Sequence, residues 1–410
     1  MENKLPDGWD VKKLVKHTPI VKTGVSEYEG KKPYFSTGVV NDNSVSPEGN
    51  YSFANKPARA NRLVLKYDVI QARMQGTKKA LLIDEKLDGS LFSTGFLHFR
   101  PIESSYNTKL FYHYLSSDLF LKQRDEYASG STQIALTDKG AKNIDLIIPP
   151  QDCQAKIADK LDSLLAKLKD AQSRLDKIPL ILKRFRQSIL ASAFSGELTK
   201  DWRKEKDSPK WVKKQSGELF SFVTSGSRGW AKYYSKSGVL FLRMGNLNHF
   251  SIKLDLAKKQ YVDLPKKTEG IRTRVQSNDI LISITADVGM IGVVPEGFEE
   301  AYINQHVSLA RPKKDVNHFY LAWYLSSNEG QAQFQEAQRG ATKVGLGLND
   351  IKSVQVPIPP IEEQKEIVIR IKTLFEHAEK IEHRYINAKK YTDKLEQSIL
   401  AKAFRGELVR

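Results

Sequence analysis

Asp68 followed by Asp84, Glu85 and Lys86 is the one grouping in this 410-residue sequence whose types match a metal-dependent nuclease. Carboxylates would hold a divalent cation and the lysine would sit beside the attacking water. The same residues fit a charged hairpin turn ending near Gly89, and the second half of the chain has no copy of the group, so the turn is the stronger reading. His17, His98, His113, His249, His306, His318, His377 and His383 fall at no ligand spacing. Cys153 is the single cysteine, which excludes a disulfide scaffold and a cysteine-based zinc site. Gly345 and Gly347 before Leu348 are too few for a phosphate-cradling loop. No Asn-Pro-Pro-aromatic or Asp-Pro-Pro-aromatic run occurs of the kind that amino-methyltransferases use to hold an extruded base. The expectation is a chain without a catalytic centre, cofactor or metal of its own.

Recognition chemistry is better represented. Arg59, Asn61, Arg73, Gln75, Thr77, Lys78 and Lys79 gather around Gly76, a loop signal. Arginine or lysine suits guanine, and asparagine or glutamine suits adenine, in the major groove. In the second half the corresponding candidates are Ser227, Arg228, Lys232, Tyr233, Arg243, Asn246, Asn248, Gln305 and His306. Two turns, Gly130-Ser131-Thr132-Gln133 and Gly340-Ala341-Thr342-Lys343, offer amides and hydroxyls to phosphate. Any one of these residues is equally well an ordinary solvated side chain; as clusters they are the expected DNA face. Lysine and arginine outnumber aspartate and glutamate by 65 to 48, a net +17 spread along the chain and not gathered in a tail. Such an excess on a folded protein favours a long polyanion, above all double-stranded DNA. A coiled-coil adaptor that binds only protein stays open as an alternative, as does an enzyme with an unfamiliar active site. No signal peptide and no apolar run near eighteen residues is present, so a cytoplasmic, non-membrane protein is expected.

The elements that must position these residues are written twice. Gln187-Ser188-Ile189-Leu190-Ala191, with Ala193-Phe194 and Gly196-Glu197-Leu198, recurs 210 residues later as Gln397-Ser398-Ile399-Leu400-Ala401, Ala403-Phe404 and Gly406-Glu407-Leu408. Pro149-Pro150 and Pro359-Pro360, Gln154 and Gln364, and Gly130 and Gly340 share that offset. After each Pro-Pro comes a heptad seam: Ile157, Leu161, Leu164, Leu168, Ala171, Leu175, Ile178, Leu182, Phe185 and Ile189 in the first copy. Ile367, Ile371, Leu374, Ala378, Ile381, Tyr385, Ala388, Thr392, Leu395 and Ile399 repeat it in the second. Gly196 and Gly406 sit where a left-handed C-cap stops each helix. Pro179 is predicted to break the first arm, and the second arm has no proline there. Two matching seams in one chain predict intramolecular antiparallel pairing.

Before each arm, short apolar runs such as Arg62–Leu65, Asp68–Ile70, Ala80–Ile83 and Asp279–Ile284 read as strands, while Leu110–Lys122 and Phe319–Arg339 carry helical spacing. The fold class is thus α/β (α+β), two globular copies separated by two long helices forming an antiparallel coiled coil. The domain reading is residues 1–150, a helical spacer and linker 151–208, a second globule 209–360, and a second spacer 361–410.

This order of globule, Ile-Pro-Pro with a following Gln, heptad helix and Gln-Ser-Ile-Leu-Ala-x-Ala-Phe-x-Gly-Glu-Leu, repeated, resembles the DNA-specificity subunits of type I restriction-modification enzymes over essentially the whole chain. Pro359-Pro360-Ile361-Glu362-Glu363-Gln364 is the nearer match to that signature; the first copy reads Gln151-Asp152-Cys153-Gln154. Ser225-Gly226-Ser227-Arg228-Gly229-Trp230 resembles the opening loop of a target recognition domain. The resemblance implies two target recognition domains, each reading one half of a bipartite site, with the helices acting as a ruler. It also implies that the spacers dock two methyltransferase subunits, that motor-nuclease subunits join them, and that S-adenosylmethionine, ATP and Mg are bound by those partners.

Overall fold

Duplication in the sequence becomes duplication of hydrogen bonds. In the computed structural model, which describes residues 5–41, 44–130, 133–226, 228–265, 271–339 and 345–409, the chain divides into two compact units. One comprises Met1–Asp176 with Ile386–Arg410, the other Lys177–Tyr385.

In the first unit, strand Asp10–Lys13 pairs antiparallel with Asp145–Ile148. Beside it, Asn107 caps helix Thr108–Ser116 by accepting from the Leu110 N–H at 3.0 Å. Gln154 then joins cap to arm: its Oε1 accepts from the Asn107 N–H at 2.7 Å and its Nε2 donates to the Pro149 carbonyl at 3.1 Å. The second unit repeats each part. Strand Val212–Gln215 pairs with Gln355–Ile358, Asn317 caps helix His318–Ser326, and Gln364 bonds Asn317 N at 2.9 Å and Pro359 O at 2.9 Å. The Gln after each Pro-Pro is therefore a structural bolt. Each of these helices stops earlier than apolar spacing suggests, because Ser117 and Ser327 turn extended; new helices follow over Asp118–Glu126 and Asn328–Arg339.

Two larger sheets lie in each globule. In the first unit Val69–Ala72 lies between Phe96–Phe99 and Ala80–Leu82, and a second sheet runs Gly49–Tyr51, Lys32–Phe35, Leu91–Ser93, Ala60–Leu63. The antiparallel register Phe99 to Val69 and Leu97 to Gln71 sends Val69, Leu97 and Phe99 towards Leu110 and Phe111, while Ile70, Ala72 and Phe96 pack on Phe92. In the second unit one sheet runs Phe220–Ser225, Val307–Pro312, Ile280–Ser283, Ile291–Val293, and the other Tyr234–Ser235, Tyr261–Val262, Val239–Leu242, Ala301–Ile303. Both globules are mixed: Lys32–Phe35 with Leu91–Ser93, and Val239–Leu242 with Ala301–Ile303, are parallel pairs.

The first arm is two helices, Gln151–Leu175 and Ile178–Phe194, with Pro179 in the opening turn of the second, where its missing N–H has no helical partner to lose. The second arm is one helix of 44 residues, Ile361–Phe404, about 66 Å at 1.5 Å per residue. Gly196 (φ +86°) and Gly406 (φ +76°) follow the two ends in the left-handed region. Within the first unit, Ile157, Ala158 and Leu161 share a core with Leu400, Ala403 and Phe404, and further on Asp176 meets Lys389 at 2.6 Å. Within the second, Arg186 meets Glu382 at 2.7 Å, and Ile189 to Phe194 share a core with Phe375, Ile371 and Ile367. In both, one arm rises as the other falls, so they run antiparallel. The seam is buried at Ile157, Leu161, Leu168, Leu182, Ile189, Ile367, Ile371 and Ala378, whereas Ala171, Phe185 and Ile381 are exposed. Much of the burial comes from the globules' own helices, as at Trp323 on Phe375 (ring centroids 4.8 Å), and less from a continuous zipper.

Candidate nucleic-acid interface

Strand ends in the first unit converge on one side. The Arg73 N–H donates to Gly95 O at 3.0 Å, Gln75 N–H to Ile134 O at 3.0 Å, and Thr94 N–H to Arg59 O at 2.9 Å. These bonds bring Arg59, Gln75, Lys78, Lys79 and Gln133 to neighbouring loops; Arg59, Gln75, Lys78 and Gln133 are exposed. The Lys79 ammonium is tethered to Thr37 O at 2.6 Å, and the Thr77 hydroxyl donates to Met74 O at 2.7 Å, closing its own turn. Asn61 is half-buried in its strand. Arg73 is spent inside the fold: it donates to Phe96 O and Leu136 O, both at 3.1 Å, and to Asp138. It is a clamp between loops, with no guanidinium face left for a base. Arg62 plays a similar part, 1% exposed, bonding Val21 O and Thr23 Oγ1 at 3.0 Å each; burial, with Arg73 nearby, pushes its guanidinium down to about 10.

Asp68 is likewise structural. It accepts from Arg100 Nε and Nη2 at 2.7 and 2.8 Å, from His98 Nε2 at 2.7 Å and from the Leu65 N–H at 2.8 Å. Burial works to raise its carboxyl, but these donors hold it below the usual carboxylate range. Asp84 closes an Asx turn on the Lys86 and Leu87 N–H groups, and Glu85 pairs with Lys66 at 3.4 Å. The clamp does have a copy, Asp279 with Arg311 at 2.7 and 2.8 Å, displaced by 211 residues and so invisible at the 210-residue register. Among the described residues no group of three or more His, Cys, Asp or Glu is placed to hold a metal ion.

The second unit gathers its loops in the same way. Gly226 N–H donates to Val307 O at 3.0 Å, Asn304 N–H to Leu242 O at 3.0 Å, Ile284 N–H to His306 O at 3.0 Å, and Leu346 N–H to Ile284 O at 2.8 Å. The bond from Ile284 to His306 is the counterpart of that from Arg73 to Gly95, so the two clusters occupy equivalent ends of the two globules. Arg228, Lys232 and His306 are exposed, and Tyr233, Arg243 and Gln305 half-buried. Lys232 Nζ lies 5.0 Å from the Tyr233 ring centroid and the Arg243 guanidinium 6.0 Å from that of Tyr234. Asn246 is 3% exposed and internally satisfied, accepting from Arg243 N–H at 2.9 Å and donating to Asp255 O at 2.7 Å. Asn248 caps the Phe250 and Ser251 N–H groups. Both asparagines shape loops. Ser131, Thr132, Ser227, Thr342 and Lys343 lie outside the described residues.

Three residues absent from the sequence-based candidates join this face. Tyr234, 43% exposed, stands under Arg243; Arg272 donates to Ser225 O at 2.8 Å; Thr285 bonds His306 Nδ1 at 2.6 Å. Tyr234 was legible in principle, as an aromatic beside Tyr233 in a basic stretch. The other two depend on partners tens of residues away.

Residues 7–179 and 209–389 match the family described as type I restriction modification DNA specificity domain. The chain is 34% identical over 329 residues to the type I restriction enzyme EcoBI specificity subunit of Escherichia coli, covering 75% of this chain and 67% of that protein. It is 31% identical over 309 residues to the EcoKI specificity subunit of Escherichia coli strain K12, covering 72% and 64%. The matched segments span about two thirds of the length of these relatives. Two solved structures share the fold end to end. The HsdS subunit from Thermoanaerobacter tengcongensis superposes with a TM-score of 0.65 at 22% identity, covering 98% of each chain. A chain from a structure concerned with complex assembly and conformational transition of the type I R-M system gives 0.78 at 21% identity, covering 98% and 99%.

Proposed function

The chain belongs to the type I restriction modification DNA specificity family and carries its domain twice, and from that membership we propose that each globule reads one half of a bipartite double-stranded DNA site. The observation that carries the proposal is a repeated frame with unlike ends. The Gln154 and Gln364 bolts repeat the frame, and the bonds from Arg73 to Gly95 and from Ile284 to His306 mark equivalent loop clusters, one presenting Arg59, Gln75, Lys78 and Gln133, the other Arg228, Lys232, Tyr234, Arg243, Gln305 and His306. Equivalent placement with different chemistry is what two readers of an asymmetric sequence require.

The chain itself is non-catalytic in this reading. Two methyltransferase subunits dock on the helical spacers, and motor-nuclease subunits complete the restriction enzyme. S-adenosylmethionine, ATP and Mg belong to those partners. The site of action is cytoplasmic; no described helix is long and apolar enough to cross a membrane. The arms keep the two readers at a set separation, so that half-sites are recognised only at one spacing.

Mapping methylated adenines across a genome, with this chain and with residues 209–360 exchanged for those of a relative, tests the proposal. One half of the methylated motif should change and the other stay. A motif indifferent to the exchange refutes the assignment. Steep salt dependence of DNA affinity in the assembled complex separates this reading from a purely protein-binding adaptor, for which phosphate contacts would be absent.

A further inference from the structure

Gln305, His306 and Thr285 form a short chain of side-chain bonds at the end of the second globule. Gln305 Nε2 lies 3.0 Å from His306 Nε2, and His306 Nδ1 lies 2.6 Å from Thr285 Oγ1. With its amide nitrogen towards the ring, Gln305 donates and His306 Nε2 accepts. His306 Nδ1 faces the Thr285 hydroxyl on the other side of the ring, which completes the chain. One amide hydrogen of Gln305 is thereby committed to the ring. Its other hydrogen and its Oε1 remain for a partner, a donor and an acceptor on one amide.

The turn beneath is fixed by backbone bonds. His306 O accepts from Ile284 N–H at 3.0 Å, His306 N–H donates to Asn304 Oδ1 at 3.2 Å, and Val307 N–H donates to Asn304 O at 3.0 Å. Asn304 is 7% exposed, and Gly226 packs so closely on its carbonyl that a Cβ there would lie 2.0 Å away. Side chains that read bases need such support, because an ångström of looseness removes the selectivity. Among the described residues of the first unit, no such chain of side-chain bonds occurs at the equivalent turn. The bond from Arg73 to Gly95 marks the equivalent turn, where Thr94 and Gly95 face Met74 in place of Gln305, His306 and Thr285.

Resting on the proposal that this globule reads a half-site, we infer that Gln305 is a specificity-determining residue that reads one adenine in the major groove. His306 and Thr285 act through it as positioning residues. Adenine presents N7 as acceptor beside the N6 amino donor, the complement of a fixed carboxamide; guanine presents two acceptors, and cytosine and thymine one polar group each.

The test uses the assembled complex of this chain with its methyltransferase subunits and duplexes bearing its own motif. Each adenine of the half-site read by residues 209–360 is replaced in turn by 7-deazaadenine, which lacks the N7 acceptor. At one position methylation kcat/KM should fall by about 5- to 150-fold, the range of a bidentate base contact. The Gln305→Ala complex should show no further fall there. Gln305→Glu should shift preference at that position from adenine to cytosine, whose amino group donates to a carboxylate. His306→Ala and Thr285→Val should lose discrimination at the same position and at no other, which a merely structural role would not produce. If Gln305→Ala prevents assembly, the exposed His306→Ala variant reads the same position. A Gln305→Ala complex as sensitive to 7-deazaadenine as the parent, or a loss spread evenly over all positions, overturns the inference. When the motif follows an exchanged globule but no position responds to Gln305, this inference alone has failed. When the motif ignores the exchange, the half-site reading has failed.

Discussion

Glu363→Ala should unfasten the second unit. The carboxylate is fully buried and is the meeting point of three segments: Oε1 accepts from the Thr199 hydroxyl at 2.8 Å, and Oε2 from the Trp211 indole N–H at 3.0 Å and the Ser208 hydroxyl at 3.2 Å. Arg203 Nε lies 3.5 Å away, its guanidinium stacked 5.2 Å from the Trp211 ring centroid. One side chain thus joins the end of the first arm, the linker and the opening of the second globule to the first turn of the second arm. Truncation leaves a buried hydroxyl and a half-buried indole without acceptors, at about 1 to 3 kcal/mol each. The Arg203 charge adds less, since it is 26% exposed and screened. These losses share partners and do not add, so the expected total is about 3 to 5 kcal/mol, the range for removing one member of a buried charged network. Glu363→Gln keeps an acceptor for Thr199 and should cost about half of that. Glu363→Cys, the residue the first copy carries as Cys153, should behave like alanine, because a thiol is a weak acceptor. Urea unfolding followed by tryptophan fluorescence, with hydrogen exchange resolving the two units, gives the measurement. A Glu363→Ala chain within about 0.5 kcal/mol of the parent, the scatter of ordinary surface substitutions, would refute the account of this residue as a fastener.

Gly226→Ala places a Cβ 2.0 Å from Asn304 O and 2.4 Å from Ile303 O, both backbone atoms. The turn must retreat; a stability loss of about 1 to 3 kcal/mol and a motif blurred only in the second half are expected, checked by unfolding and methylation mapping. Arg228→Ala should cost about 1 to 3 kcal/mol on cognate DNA if it reads a base; in anisotropy titrations of the assembled complex, equal weakening on every sequence would make it a phosphate contact instead. His98, His113 and His318 all have pKa values lowered, chiefly by burial, against the raising effect of Asp68, Asp162 and Glu296 respectively. Their neutral forms are favoured on folding, so the stability they contribute is present above the usual value of 6.5 and is lost as pH falls through their lower folded values. Melting temperature should therefore fall on acidification below that point, and a flat profile from neutral pH to about 5 would contradict the burial of these rings. Inserting four residues into one arm, about 6 Å of helix, should lengthen the tolerated spacer by about one to two base pairs at 3.4 Å each; an unchanged methylated sequence argues against the ruler.

The sequence by itself determined the repeat, the two arms, their ends and the break at Pro179. Each of these is a local matter: apolar spacing creates one face of a helix, glycine alone enters the left-handed region at little cost, and proline cannot continue a helix that has already begun. Intramolecular antiparallel pairing was also legible, because two matched seams occur in one chain. The structure decided which polar residues are consumed inside the fold and which stay exposed. Arg73 and Arg59 look alike in the sequence, yet Arg73 is consumed by Phe96, Leu136 and Asp138 while Arg59 stays exposed. Asn246 and Gln305 are both amides in loops, yet the first is satisfied by Asp255 and the second is held out by His306 and Thr285. Asp68 was distinguishable from a metal ligand only when Arg100 and His98 closed around it. A side chain's role depends on whether its hydrogen-bonding groups are met inside the fold. The partners that meet them are brought by strand pairing across tens of residues, a separation at which one sequence carries no spacing signal.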